Sequence, residues 1–322
     1  MRSVSAKPVV DLVDDWAQRE PDRVPLVFHG AAGVEPVSAA SFAADSRAWA
    51  EAFVEAGLAP GAAVILLAHS ARQFISALLG AQRAGLLAVP SPPPEPLESG
   101  RRIGERIDEL LTRSGAKAVV SPVVDQTALD LGAALAMRGV RFLTPPAHAA
   151  AGTVDRPRLP FAYCQFTSGS GGRSKGVLLT HDNLAAYVNA RVSAFELGDA
   201  DVNVSWLPFS QDNGLVSYAL ASLATGIPGH VMPPLAFITQ PVSWLRLITR
   251  VRGTMSTGPN FAYALCARKV TDEELAGLDL SSWTRAAWRG QRGHRVRRRA
   301  VPGSGNPHRR HGRGGARRAP HR

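Results

Sequence analysis

Residue types that mark several protein classes are scarce in this 322-residue sequence. It has two cysteines, Cys164 and Cys266, which support neither a disulfide framework nor a cysteine-rich zinc site. The longest purely apolar run covers residues 62–68, far below the ~18 residues that a membrane-spanning helix needs. The N-terminus reaches Asp11 without an apolar segment, so no signal peptide is predicted. We therefore expect a cytoplasmic protein without a membrane span.

Acidic residues are missing from one part of the chain. After Thr284 there are 13 arginines, no lysine and no acidic residue, whereas residues 1–284 hold 24 basic and 26 acidic residues. The net charge of +11 therefore comes from residues 285–322, here called the basic tail. Its few large apolar side chains cannot bury a face, so the tail is predicted to be disordered. The hydrophobic content of 45% is typical of a globular chain with a core.

Short apolar runs alternate with amphipathic segments along residues 1–284. Residues 64–68 are apolar throughout, as in a strand buried on both faces, and a helix with Phe74, Leu78 and Leu79 on its apolar side follows. Residues 86–89 are predicted as a strand that Pro90 ends. The pattern indicates an α/β fold with a largely parallel sheet. Further elements are predicted at 101–113, 117–120, 128–137, 140–143, 162–166, 176–180, from about 182, 202–207, 214–224 and 241–251.

The proline-rich segment 90–100 has two interpretations. It is either a hinge between domains or a stiff surface loop inside one domain. Strand–helix alternation resumes directly after it, which favours the loop.

A segment rich in glycine and hydroxyl residues follows the predicted strand that ends at Phe166. Glycines let successive backbone N–H groups turn toward an anion, hydroxyls add donors and a lysine adds positive charge. The alternative is a flexible surface turn. Neither the P-loop nor the dinucleotide-binding fingerprint fits, because Ser174 stands where each requires glycine. The residues that predict a phosphate-binding loop are Thr167, Ser168, Gly169, Ser170, Gly172, Lys175 and Gly176.

This loop resembles the T-S-G-S/T-T-G-x-P-K-G-V motif of the adenylate-forming superfamily, and Thr180, His181, Asn183 and Leu184 continue the match. It departs from the motif at Gly171, which replaces threonine, and at Ser174, which replaces proline. Residues 206–216, WLPFSQDNGLV, resemble the W-L-P-x-x-H-D-M-G-L motif of the same enzymes. Here Gln211 replaces histidine and Asn213 replaces methionine. Without the resemblance, Asp212 is interpreted as a helix N-cap.

A third segment resembles the fatty acyl-AMP ligase branch, which is related to long-chain acyl-CoA synthetases. The matching stretches are QPVSWL at 240–245, PNFAY at 259–263 and DLSSW at 279–283. Taken alone, Phe261 and Tyr263 are interpreted as core aromatics, which is the usual position of such residues. The resemblance runs from about residue 8 to residue 283.

The resemblance implies the N-terminal part of an adenylation domain, with mixed and parallel sheets flanked by helices, over residues 1–284. It implies that a fatty acid or other carboxylic acid reacts with ATP and Mg²⁺ to form an acyl-adenylate. The acyl group then passes to the phosphopantetheine of an acyl carrier protein or to coenzyme A. The phosphate-binding residues are those of the loop above. The residues expected beside the adenine and acyl sites are Gln211, Asp212, Gly214, Asn260, Phe261 and Tyr263.

The match stops at Trp283. The magnesium-binding glutamate, the ribose contacts and the lysine of the small C-terminal domain find no counterpart in the remaining sequence, so no catalytic residue is assigned and an inactive chain is expected. The abrupt change of composition favours a frameshift between about 283 and 290. A retained non-catalytic protein that binds nucleotide or acyl groups is the alternative. A basic arm that binds nucleic acid is a weaker one, because the tail lacks lysines and interleaved aromatics, and no DNA or RNA partner is expected.

Overall fold

The computed structural model describes residues 4–69, 72–93, 100–121, 126–150, 152–167, 175–287 and 294–295. Strands form one seven-stranded, one four-stranded and one two-stranded sheet within these residues. The strands are β1 Leu26–Gly30, β2 Gly33–Val37, β3 Ala63–Leu67, β4 Leu87–Ser91, β5 Ala118–Val120, β6 Arg141–Leu143, β7 Phe161–Thr167, β8 Lys175–Thr180, β9 Asn203–Ser205, β10 Gly229–Val231, β11 Met255–Thr257, β12 Arg285–Ala287 and β13 His294–Arg295.

Helices connect most of these strands. They are α1 Val9–Arg19, α2 Ala39–Glu55, α3 Arg72–Arg83, α4 Gly100–Ser114, α5 Gln126–Ala136, α6 His181–Ala194, α7 Asp212–Gly214, a π-helix Leu215–Leu220, α8 Ala221–Thr225, α9 Pro234–Thr239, α10 Val242–Val251, α11 Asn260–Lys269 and α12 Asp272–Ala276. None of the helices in the described residues is long and apolar enough to cross a membrane. The α/β class predicted from the alternation of strands and helices is confirmed.

Alternate side chains of the fully buried strand β3 pack into two different hydrophobic clusters. Val64 and Leu66 pack into one hydrophobic cluster with α1, α2, α3 and β1, while Ile65 and Leu67 pack into a second cluster with α4 and α5. Both faces of the strand are therefore covered, as its continuous apolar sequence predicts. A third cluster joins β9 to α9, α10 and α11.

The four-stranded sheet has the order β4-β3-β5-β6 and is parallel throughout. The prediction that Pro90 ends a strand is wrong, because β4 continues to Ser91 and Pro90 lies opposite Leu66. β4 is the edge of this sheet, where a residue without an N–H is tolerated. β4 and β5 both pair with β3, so the proline-rich segment connects elements of one sheet, in agreement with the loop interpretation.

The seven-stranded sheet has the order β13-β12-β11-β9-β10-β1-β2. Its central strands are parallel, and β2 and β13 join antiparallel at the two ends. β12 and β13 are formed by five residues of the basic tail, Arg285–Ala287 and His294–Arg295. The disorder predicted for the tail stays a prediction. Backbone pairing with the edge of β11 needs no apolar side chains, and composition therefore does not reveal it. The rest of the tail lies outside the described residues.

Candidate functional site

The hairpin β7–β8 carries the ends of the predicted phosphate-binding loop. The strands are antiparallel, and Thr167 at the end of β7 lies opposite Lys175 at the start of β8. The Thr167 hydroxyl donates a hydrogen bond of 3.5 Å to the Lys175 carbonyl. Both residues are exposed, so a hydroxyl donor and an ammonium group lie at the two ends of one short connection. The other predicted loop residues, Ser168, Gly169, Ser170 and Gly172, lie outside the described residues.

Gly176 has a packing role in this hairpin. It lies opposite Phe166 in the register, and a Cβ on it would lie 3.1 Å from Cys164 Sγ and 3.2 Å from the Phe166 ring. The absent side chain allows β8 to lie close against β7.

Helix α6 begins directly after β8 with a capping box. The Thr180 hydroxyl accepts from the Asn183 N–H at 3.0 Å, and the Asn183 side chain accepts from the Thr180 N–H at 3.3 Å. His181 is buried, and its Nε2 lies 3.2 Å from the Leu159 carbonyl. Burial lowers the pKa of His181, which favours the neutral ring. The predicted T-H-x-N-L match thus fixes where α6 starts and how it leaves the hairpin.

The second predicted segment turns sharply into α7. Gly214 is buried, and a Cβ on it would lie 2.3 Å from the Pro208 carbonyl oxygen. Only glycine fits this turn without moving the backbone. The N-cap interpretation of Asp212 is wrong, because Asp212 is the first helical residue and its carboxylate accepts from the Asn213 N–H at 2.9 Å. Gln211 occupies the cap position, makes no side-chain cap bond and is exposed.

A π-helix follows α7, and a polar chain fixes its first turn. Ser217 donates to the Asn213 side-chain oxygen at 2.9 Å, and the Tyr187 hydroxyl lies 2.6 Å from Ser217 Oγ. Asn213, which replaces a methionine of the motif, therefore has a polar partner on the next turn. π-helical turns are rare and occur often at functional sites.

Gln165, which the sequence motifs do not identify, links the two segments. Gln165 on β7 donates from Nε2 to the Ser210 carbonyl at 3.0 Å. Tyr163, two residues earlier, is fully buried, and burial together with the negative charge of Asp212 raises its pKa above the usual range. A glutamine inside the apolar stretch FAYCQF, directly before the loop, is the signal that indicates this contact. The hairpin and the 206–216 segment thus lie side by side.

The third predicted segment contributes to an aromatic cluster. Tyr263 stacks on Trp283 with a centroid distance of 6.3 Å and meets the edge of Trp244 at 5.6 Å. Burial raises the pKa of Tyr263 to about 12. This placement agrees with the interpretation of Tyr263 as a core aromatic.

Phe261 and Asn260 differ from Tyr263 because both are exposed at the start of α11. Phe261 is 52% exposed, and one edge contacts Trp206 of the second segment at a centroid distance of 6.1 Å. An exposed aromatic ring beside a buried tryptophan is a surface on which an apolar ligand can pack.

The D-L-S-S-W stretch has a structural role. Asp279 accepts from Arg252, which has a left-handed backbone with φ of 54°. Ser282 donates to the Gly253 carbonyl at 3.1 Å, and the Trp283 indole N–H donates to the Ser256 carbonyl at 3.2 Å. These bonds hold residues 279–283, which lead into β12, against residues 252–256 at the start of β11.

Comparison with known proteins gives the family of this chain. A family model described as AMP-binding enzyme matches residues 13–298. A medium-chain-fatty-acid–[acyl-carrier-protein] ligase, JamA of Moorena producens, is 34% identical over 231 residues, which are 69% of this chain and 39% of that protein. A long-chain-fatty-acid–AMP ligase, FadD26 of Mycobacterium marinum, is 30% identical over 293 residues, which are 86% of this chain and 50% of that protein.

Solved structures agree with this assignment. The crystal structure of a fatty acid AMP ligase from Legionella pneumophila superposes with a TM-score of 0.78 at 28% identity, covering 87% of this chain and 49% of that one. The chain spans about two fifths to one half of the length of these relatives. It belongs to the AMP-binding enzyme family.

Proposed function

We propose that this chain carries the ATP phosphate site and part of the acyl site of an enzyme that adenylates fatty acids. The observation that carries the proposal is the hairpin, which brings the hydroxyl of Thr167 and the ammonium group of Lys175 to the two ends of one loop. A hydroxyl donor and a lysine suit the triphosphate of ATP. The neighbouring 206–216 segment and the exposed ring of Phe261 extend the site toward an apolar substrate.

In the proposed reaction, a carboxylate oxygen attacks the α-phosphorus of ATP, the bond to pyrophosphate breaks, and an acyl-adenylate forms. Lys175 and Thr167 would bind the β- and γ-phosphates and hold the leaving pyrophosphate in line, which is mostly positioning and charge neutralisation. The loop residues Ser168, Gly169, Ser170, Gly172 and Gly176 are proposed to donate backbone and hydroxyl hydrogen bonds to the same phosphates.

Mg²⁺ supplies further neutralisation of phosphate charge in reactions of this kind. The described residues contain no group of three or more His, Cys, Asp or Glu that could hold a metal ion. We therefore propose that Mg²⁺ enters with the nucleotide, and we assign it no protein ligand.

The proposed carboxylic substrate is a fatty acid, and Phe261, Asn260 and Gln211 are the described residues proposed to border it. The relatives include ligases named for medium-chain fatty acids with acyl carrier protein and for long-chain fatty acids with AMP. Transfer of the acyl group to a carrier-protein phosphopantetheine, or to coenzyme A, is proposed on that likeness.

Residues 285–322 hold no acidic residue and so offer no carboxylate to a magnesium ion, and the 322-residue chain is therefore proposed to bind ATP without turnover. The test is ATP–pyrophosphate exchange with medium- and long-chain fatty acids, measured beside equilibrium binding of Mg·ATP. Saturable binding without exchange agrees with both parts of the proposal. Exchange above the enzyme-free rate would keep the proposed function and overturn the proposed inactivity. Absence of saturable ATP binding would overturn the proposed function.

A further inference from the structure

Burial ends abruptly between the two strands of the β7–β8 hairpin. Val177 of β8 lies opposite Gln165 of β7, and Leu178 lies opposite Cys164. Gln165 and Cys164 are 9% and 6% exposed, whereas Val177 and Leu178 are 47% and 45% exposed. Neighbouring residues of a strand point to opposite faces of its sheet. Strand β8 therefore exposes an apolar side chain on each face of the hairpin.

The outer edge of β8 has no backbone partner among the residues that the structure describes. There, β8 pairs with β7 alone, and the two strands form a sheet of their own. An apolar edge strand with free N–H and C=O groups favours pairing with a further strand, and many proteins prevent this with proline or charged side chains. Residues 176–180 contain neither. The edge is thus open to another strand.

The basic tail is poorly suited to cover this edge. Its large apolar residues are Trp288, Val296 and Val301, which lie at least five positions apart. No stretch of the tail therefore presents adjacent large apolar side chains to both Val177 and Leu178. A second copy of the chain, in contrast, carries the same apolar edge and is always present with the first.

The sequence of β8 is complementary to itself in one antiparallel register. A two-fold axis at Leu178 pairs Leu178 with itself and Val177 with Leu179 of the second copy. Apolar side chains then meet on both faces, and such directly opposite pairs stabilise antiparallel strands. An axis at Val177 would instead place Lys175 opposite Leu179. The sequence therefore favours the axis at Leu178.

The charges near β8 agree with this register. Residue 175 of one copy lies level with residue 181 of the other, so the two Lys175 side chains are about 20 Å apart at about 3.4 Å per residue. This separation exceeds the Debye length of about 8 Å at physiological ionic strength, and the lysines repel each other little. Each lysine approaches the start of α6 in the other copy, where Asp182 is exposed. Opposite charges thus lie near each other at both ends of the paired strands.

We propose that β8 is the contact surface of a two-fold dimer, in which the β8 strands of two copies pair antiparallel about Leu178. The two hairpins then form one four-stranded sheet. The contact uses the same edge of both copies, so association closes at two. Two short strands bury less than about 1,200 Å², and the dimer is therefore weak and depends on protein concentration. The inference goes beyond the proposed function and does not depend on ATP binding.

Sedimentation velocity under reducing conditions, at micromolar to submillimolar protein concentration, tests the association. Wild type is compared with Leu178→Lys, which places two ammonium groups opposite each other at the axis. Leu235→Lys is the matched control, because Leu235 is also an exposed leucine, at 59%, and lies on α9. Wild type and Leu235→Lys are expected to shift from monomer to dimer as the concentration rises. Leu178→Lys is expected to associate at least about tenfold more weakly.

Three sedimentation results would overturn the proposal. The first is a wild-type chain that stays monomeric at every concentration. The second is a dimer that Leu178→Lys leaves unchanged, which would place the contact elsewhere. The third is growth beyond two copies, which a closed two-fold contact does not allow.

Disulfide formation tests the register, and it decides the proposal if Leu178→Lys does not fold. Cys164 and Cys266 are first replaced by alanine, because Cys164 lies opposite Leu178 and would compete for a new thiol. Leu178→Cys and Val177→Cys are then made separately in this background and treated with oxidised glutathione. The two positions are adjacent and similarly exposed, so each serves as the control for the other.

The axis at Leu178 predicts different rates for these two variants. It places the Cα atoms of the two residues 178 about 4.5–5.5 Å apart, within the range of a disulfide. The Cα atoms of the two residues 177 are then about 8 Å apart, beyond that range. Leu178→Cys is expected to form a covalent dimer severalfold faster than Val177→Cys. Equal or reversed rates would overturn the proposal.

Hydrogen exchange distinguishes a second copy from another strand on the same edge. Alternate amides of residues 176–180 point away from β7, because hydrogen-bonding directions alternate along a strand. Their protection is expected to rise with protein concentration, in step with the dimer seen by sedimentation. Protection that is independent of concentration would show that another segment covers β8, and it would overturn the proposal.

Discussion

The Arg285 guanidinium donates a hydrogen bond of 2.5 Å to the Asp201 carboxylate. Asp201 also accepts from the Thr254 hydroxyl at 2.7 Å, so its carboxylate joins β12 to the loop before β9. Arg285 is the first residue of the basic tail, yet it contacts the folded body and continues its sheet. The frameshift expected between about 283 and 290 stays a prediction.

Removal of this arginine should destabilise the chain. Asp201 is 9% exposed at its side chain, and Arg285→Ala leaves its carboxylate without a cation, so we expect a loss of about 1–3 kcal/mol in the free energy of unfolding. Arg246→Ala is the control, because Arg246 pairs with Glu274 at an exposed site and should cost less than about 1 kcal/mol. Urea denaturation measures both. Equal losses would show that Arg285 is not part of the folded body.

Gly214→Ala should disrupt the turn into α7. A Cβ placed 2.3 Å from a backbone oxygen cannot be accommodated by a side-chain movement, and we expect a loss of about 3 kcal/mol or more. Gly104→Ala should instead increase the free energy of unfolding. Gly104 lies within α4, and an added methyl group would meet nothing within 4 Å. Alanine stabilises a helix by about 0.5–1 kcal/mol relative to glycine. A melting temperature unchanged by Gly214→Ala would contradict the close contact.

A histidine pair should make the fold sensitive to acid. His29 Nε2 lies 2.9 Å from His230 Nδ1, and Arg250 donates to His29 Nδ1 at 3.0 Å. Burial, with a smaller effect of Arg250, lowers the pKa of His29 from 6.5 to about 4. Burial, His29 and Arg250 lower the pKa of His230 to about 4. The unfolded chain therefore binds protons at a higher pH than the folded chain does.

The free energy of unfolding should therefore be unaffected by this pair above pH 6.5, and it should decrease as the pH falls from 6.5 toward 4. We expect the free energy of unfolding to decrease by on the order of 1–2 kcal/mol, after allowance for the partial exposure of the two histidines. Denaturation midpoints across this range measure it. The double variant His29→Gln, His230→Gln should flatten the decline, whereas His148→Gln, at an exposed position, should leave it unchanged. An unaltered decline in the double variant would contradict the assignment.

Phe261 and Trp244 should respond differently to truncation. Phe261 is 52% exposed, so Phe261→Ala should cost less than about 1 kcal/mol of stability. Trp244 is fully buried, and its indole donates to Ser256 at 2.9 Å, so Trp244→Ala should cost about 3–5 kcal/mol. Thermal unfolding distinguishes the two. A large loss from Phe261→Ala would show that its ring serves the core.

Local sequence predicts the parts of this fold that depend on local chemistry. The apolar run of β3 and the amphipathic pattern of α3 identify both elements, because each reflects burial of its own residues. The sequence does not predict a strand through Pro90, because an edge position depends on which strands pair, a tertiary property. It does not predict β12 either, because the pairing of β12 uses backbone groups, which composition does not reveal.

In the candidate site, too, local sequence predicts some residues, whereas others depend on tertiary contacts. Residue types and spacing predict Thr167 and Lys175, and the hairpin brings them together. They mark Gln165 as a polar residue in an apolar stretch but do not identify its partner Ser210, which lies 45 positions away. The motif groups Tyr263 with Phe261, but their burial differs because residues two positions apart on a helix face nearly opposite sides of α11.

Equilibrium binding of Mg·ATP to the wild-type chain, to Lys175→Ala and to Lys117→Ala tests the central claim most directly. Lys117 is also exposed, but it lies before β5 and away from the hairpin. The account predicts saturable binding by the wild type and by Lys117→Ala, and a loss of tenfold or more in Lys175→Ala, about 1.4 kcal/mol for one charge-assisted contact. Equal affinities of Lys175→Ala and the wild type would contradict a phosphate site at this loop.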